Sequence, residues 1–221
     1  MRFEDFFIRE SARCNAYMGL ADCYYLPDEG LTRRLKTLEN HVGRLGSEAL
    51  SHVLLMRSKV QAGKELEALK VEFAKLFVGP YKLLAPPYGS VYLEGGRKVM
   101  GNSTMNVKEH YRNAGLDIAD NFMDAPDHIA VELEFMHFLV FKEVDSIQKK
   151  DPEKAIERLY NQKLFLETHL GAWVPDFCGE VERQAKDDFY HHLAVATRLF
   201  IAEEMEYIHK FEVEELSKGM V

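Results

Sequence analysis

Apolar side chains recur three and four residues apart along almost the whole chain, and no stretch outside one central segment keeps a strand-like alternation. That rhythm restricts the chain to an all-α architecture. A first helix is predicted from Asp5 to Leu26, with Phe6, Ala12, Ala16, Leu20 and Cys23 near one face and Pro27 ending it. Two more are predicted over Leu31 to Leu45 and Glu48 to Gln61, split by Gly46 and Ser47, and a fourth over Glu65 to Phe77. In the fourth, Leu66, Leu69, Phe73, Leu76 and Phe77 stand at core spacing. Ser103 or Thr104 can cap a helix that runs to about Ala114 and stops at Gly115. After Pro126 the segment IAVELEFMHFLVFKEV is apolar almost all round, as a helix at the centre of a bundle would be. Asp151 and Pro152 open a helix to His169, and Trp173 to Gln184 and Asp187 to Leu216 complete the set. With no internal repeat, residues 1–221 read as a single-domain helical bundle of nine to ten helices with one long central loop.

Charge and cysteine usage exclude several function classes. The 36 acidic side chains exceed the 28 basic ones, for a net charge of -8, and no Lys/Arg stripe appears, so nucleic acid is not an expected partner. Cys14, Cys23 and Cys178 are odd in number and have no zinc-type spacing, so they read as reduced, buried thiols. The start MRFEDFFIRE lacks the basic-then-apolar order of a secretory signal, and every apolar stretch is broken by Glu or Lys short of a membrane span. The expectation is a cytoplasmic protein with no integral membrane segment.

Two segments stand out from the helices. The first is GPYKLLAPPYGSVYLEGGRKVMGNST, whose three prolines and five glycines exclude a continuous helix. Pro86 and Pro87 hold its backbone extended, so Tyr88 and Tyr92 are presented with little entropy left to lose. It reads either as a peptide-binding wall or as a structural loop whose aromatics cover the core. The second is NFMDAPDHIAVELEFM. Asp124 or a neighbour is expected to cap the helix, and Asp127 is either a helix-start carboxylate or a binding group. His128 is either a packing residue or a titrating donor. No phosphate loop or nucleophile elbow is present, so no catalytic residue is assigned. The competing chemistry is metal binding. Glu134 with His137, and Glu206 with His209, both have the Glu-x-x-His spacing of di-iron bundles, although a chain with nine histidines meets that spacing by chance.

LFVGP, then PPYGSVY, then GNST, then PDH at the start of a buried helix, with CYYLPDE upstream, resembles the TorD/DmsD/NarJ family of redox-enzyme maturation chaperones. The resemblance covers the chain from about Tyr24 to His128. It implies an all-α, non-enzymatic protein with no cofactor and no metal of its own. Its implied partners are the twin-arginine signal peptide and folded body of a molybdenum-containing oxidoreductase subunit, bound by a monomer or a helix-exchanged dimer. On this likeness the signal-peptide positions are Tyr25, Phe73, Leu76, Phe77, Gly79, Pro80, Pro86, Pro87, Tyr88, Ser90, Tyr92, Asp127 and His128. The expected division has an apolar groove of Phe73, Leu76, Tyr88 and Tyr92 taking the hydrophobic part. Asp127 then pairs with the arginines, whose fork geometry suits a carboxylate.

Overall fold

The computed structural model describes residues 3–61, 66–79, 83–119 and 124–210. Among these lie ten α-helices and no strand. They are α1 (Phe3–Cys23), α2 (Leu31–Leu45), α3 (Ala49–Gln61), α4 (Leu66–Phe73), α5 (Gly89–Leu93), α6 (Asn102–Asn113), α7 (Ile129–Gln148), α8 (Pro152–Thr168), α9 (Leu170–Gln184) and α10 (Asp188–Lys210). The all-α fold is therefore as the periodicity requires. Asp151 caps α8 by accepting from the Lys154 amide at 3.1 Å, with Pro152 in the first turn, where a missing N–H costs nothing. Gly46, at φ 66°, ends α2, where the Gly46 and Ser47 amides close on the Gly43 and Val42 carbonyls.

Packing follows from which stripes are apolar. Ala12, Ala16 and Leu20 of α1 are buried, and Gly19 brings α1 so near α2 that an added Cβ would sit 3.0 Å from Leu38 Cδ1. On its other side α1 lies along α7, which also packs on α8, while α10 packs on α3 and α9. A single apolar core runs through these contacts, with Trp173, Tyr17, Tyr24, Phe165, Phe177 and Phe200 among its largest members.

Two departures from the expected helices bear on function. The fourth helix does not run regularly to Phe77. It changes to a π-helical turn over Ala74–Val78 and is closed by the Gly79 amide on the Ala74 carbonyl, with Gly79 at φ 74°, ψ 179°. Within the central loop, Gly89–Leu93 forms the short helix α5, where no helix is predicted. The predicted last helix extends beyond Lys210, and that part lies outside the described residues.

Candidate functional site

The two irregular segments meet and are stitched together through their backbones. Tyr88 and His128 form an isolated antiparallel bridge, with the Gly89 amide donating to the Asp127 carbonyl at 2.8 Å and the Ile129 amide to the Pro87 carbonyl at 2.9 Å. The Asp127 side chain crosses the junction, its Oδ2 accepting from the Ser90 amide at 2.7 Å. Asp127 thus caps α5, a helix from the other segment. The cap of α7 is His128, not Asp124: its Nδ1 accepts from the Ala130 amide at 3.1 Å. That bond places the neutral ring's proton on Nε2, which lies 4.0 Å from Asp124 Oδ2. Burial holds the His128 pKa below its ordinary value despite the Asp124 and Asp127 carboxylates.

Above this stitch the surface is aromatic and acidic. The Tyr25 ring stacks on His128 at 6.5 Å between centroids and 21° between planes, and Tyr88 meets the same imidazole edge-on at 5.4 Å. The Tyr25 hydroxyl donates to Glu134 Oε1 at 2.8 Å. Burial and then the Glu134, Asp124 and Asp22 carboxylates push the Tyr25 phenol up, while burial and Asp124 push Tyr88 up to about 12. Beside Glu134 opens an apolar pocket of about 210 Å³ between the end of α6 and the first turns of α7.

Most of the expected site residues therefore separate into three groups. Tyr25 and Tyr88 come together at the surface, packed around a His128 that is itself buried. Asp127 and Ser90 lie beneath them, 1% and 0% exposed, and Pro86 and Pro87 are buried alongside. Phe73, Leu76 and Phe77 belong to the core, in an aromatic cluster with Tyr24, Phe177 and Tyr190. The groove expected from Phe73 and Leu76 is not open in this structure, because both side chains are buried in the core. Nor does Asp127 offer its carboxylate at the surface, because the Ser90 amide draws it inside. Tyr92 stacks on Trp173 at 5.7 Å and donates to Glu180, which Arg97 also grips. Gly79 closes the π turn, and Pro80 lies outside the described residues.

Sequence reasoning missed Glu134 and Asp22 as members of this surface, since only the fold brings α1 and α7 side by side. The metal expectation for Glu134 is corrected here. Glu134 is engaged by Tyr25 past the end of α1, whereas Tyr207, next to Glu206, bonds Glu10 near the start of α1. The two Glu-x-x-His pairs face different neighbours: His137 lies against Cys14 of α1, and His209 meets Glu167 of α8 at 2.8 Å. Among the described residues no group of three or more His, Cys, Asp or Glu side chains is placed to hold a metal ion. Cys14 does sit 3.2 Å from His137 Nδ1, but burial raises its thiol to about 12, so at neutral pH it is protonated and a poor nucleophile.

Residues 28–179, more than half of the chain, match the family model described as nitrate reductase delta subunit. The chain belongs to this family, the TorD/DmsD/NarJ family of redox-enzyme maturation proteins. It is similar to the chaperone protein TorD of a Psychrobacter species, at 28% identity over 71% of this chain and 64% of that one. A perchlorate reductase assembly chaperone protein of Dechloromonas aromatica is 28% identical over 61% of each chain. The Tat proofreading chaperone DmsD of Salmonella typhi is 27% identical over 62% of this chain and 60% of its own. The matched region thus spans under two thirds of these relatives' lengths. A crystal structure described as a redox enzyme maturation protein, from Archaeoglobus fulgidus, superposes with a TM-score of 0.53 at 25% identity, covering 88% of this chain and 93% of that one. No helix among the described residues of this TorD-family chain is long and apolar enough to cross a membrane.

Proposed function

We propose that the chain is a cytoplasmic, non-enzymatic chaperone for a molybdopterin-dependent oxidoreductase subunit. It binds the subunit's twin-arginine signal peptide and folded body, assists cofactor insertion and holds back export. The observation that carries this reading is the Tyr25–His128–Tyr88 surface, ringed by Asp22, Asp124 and Glu134 and adjoining an apolar pocket. Rigid aromatic faces give contact area at low entropic cost, and guanidinium groups stack on aromatics and pair with carboxylates. The printed names of the relatives, an assembly chaperone and a Tat proofreading chaperone among them, support the same reading. In this scheme Tyr25 and Tyr88 touch the peptide, and the buried His128 holds their rings in place. Phe73, Leu76, Phe77, Pro86, Pro87, Ser90 and Asp127 act from beneath by fixing where those rings stand.

The test is titration of the purified full chain with a fluorescein-labelled twin-arginine leader peptide, read by anisotropy. Replacing both arginines by lysine is expected to weaken binding by about tenfold or more, because lysine cannot make the bidentate contact. Tyr88→Ala is expected to weaken it by a similar factor while the far-ultraviolet circular dichroism stays as in the wild type. Equal affinity for the arginine and lysine leaders, or no binding of either, would sink the proposal.

A further inference from the structure

The carboxylate that receives a guanidinium group was expected to be Asp127, and the structure directs attention elsewhere. Glu134 accepts from Tyr25 through Oε1 and forms no salt bridge among the described residues. It stands on the rim of the 210 Å³ pocket, whose walls include Tyr111, Leu116, Ile118, Val131 and Phe135. A void of about 150 Å³ already accommodates benzene, so this one holds a large aliphatic or aromatic side chain. Its floor is fixed: Tyr111 donates to the Pro126 carbonyl at 2.8 Å, and its ring meets that of Phe135 at 4.5 Å. Leu116, Ile118 and Val131 are only partly buried and leave the mouth apolar. The charged residues lining the pocket are Asp117 and Glu134, both acidic, and Asp124 and Asp22 join Glu134 in acting on Tyr25. An empty apolar seat under an acidic rim complements a ligand that carries one large apolar group and a cation beside it.

We infer that this pocket seats a large apolar side chain of a client peptide while Glu134 pairs with an arginine two positions away. The register follows from strand geometry, because alternate side chains of an extended peptide share one face about 7 Å apart. Tyr25 is the hinge between the two halves, since its hydroxyl orients the Glu134 carboxylate and its ring faces His128. The inference rests on the peptide-binding reading above and adds to it a seat, a receiving carboxylate and a spacing.

The experiment uses the full chain and a labelled dodecapeptide of Ser and Ala with two adjacent arginines and a phenylalanine two places after the second. Two variant peptides change that phenylalanine to alanine or that arginine to glutamine. Val131→Trp fills the pocket and is expected to weaken the phenylalanine peptide about tenfold while leaving the alanine peptide unchanged. Glu134→Gln is expected to weaken the arginine peptide about tenfold and to leave the glutamine peptide unaffected. Moving the phenylalanine to an adjacent position is expected to cost as much as removing it. If both variants bind every peptide as the wild type does, while Tyr88→Ala still weakens the leader, the seat is refuted and the broader reading survives. If the wild type binds no peptide, both fall. Should Val131→Trp act only by turning a sedimenting dimer into a monomer, the pocket is a self-association face and the inference is overturned. Thermal melts of both variants within a few degrees of the wild type show that lost binding is not lost folding.

Discussion

Asp127 shows how a binding position can act without touching a ligand. Its Oδ2 is held by the Ser90 amide, and its Oδ1 is buried with no hydrogen-bond partner among the described residues. Removing the side chain takes away the cap of α5, and cap losses run to about 0.5–2 kcal/mol. Asp127→Ala is therefore expected to lower stability by about that much in a urea titration, whereas Asp127→Asn keeps an acceptor for Ser90 and stays near the wild type. If Asp127→Asn also leaves the affinity for a twin-arginine leader intact, its charge takes no direct part in binding. Gly89 makes the same point from the other segment. A Cβ there would lie 3.0 Å from Trp173 Nε1 and 3.2 Å from Glu132 Oε1, both side chains fully buried and bonded to each other at 3.0 Å. Gly89→Ala is expected to cost about 1–3 kcal/mol by overpacking, again read from urea unfolding. A wild-type midpoint for that variant would mean that this contact yields more easily than a packed interior should.

At the scale of elements, the π turn after α4 and the short helix α5 do the positioning. Phe73, Leu76 and Phe77, three and four positions apart, face the core together, where Phe77 meets Tyr24, Phe177 and Tyr190. The chain then leaves through Gly79, whose ψ of 179° at positive φ is a conformation open essentially to glycine alone. Gly79→Ala is expected to destabilise by about 1–3 kcal/mol and to loosen the packing of Tyr88 at the stitch. The check is a denaturant melt together with Tyr88 accessibility by iodination, which should rise. α5 was not foreseen because five residues that include a glycine carry no helical period. Its amides are satisfied by Asp127, some forty positions later in the chain, and local propensity does not register such a partner.

Across the whole molecule, one buried ion cluster joins four helices. Arg13 of α1 bonds Glu204 of α10 through Nε at 2.8 Å and Gln162 of α8 at 3.0 Å, and it also grips Glu10 of its own helix. Gln162 in turn donates to Glu143 of α7 at 2.6 Å. Three buried carboxylates face one guanidinium, and burial together with Glu10 pushes the Glu143 carboxyl up from its ordinary 4.5 to about 8. Between those two values the folded chain holds a proton that the unfolded chain has released. The contribution of Glu143 to stability therefore declines as pH rises from about 5 to about 8 and is lost above that. The melting temperature is expected to be lower at about pH 8.5 than at about pH 6, and Glu143→Gln, which keeps an acceptor for Gln162, is expected to remove most of that slope. An unchanged slope in the variant would place the titration elsewhere.

The all-α class and the limits of α2 and α8 were legible in the sequence. They depend on side-chain spacing and on capping residues a few positions apart, as with Asp151 and Lys154. The ordered motifs also marked the two segments that meet. Which of their residues face outward was not legible. Tyr25, Tyr88, and the pair His128 and Glu134 come from three separate stretches, and only the seating of α1 on α7 and the Tyr88–His128 bridge bring them together. Whether Asp127 points to solvent or to the Ser90 amide depends on where a distant backbone passes. A sequence records each residue's chemistry and its near neighbours along the chain, whereas burial and charge pairing depend on neighbours through space, which only the packed bundle determines.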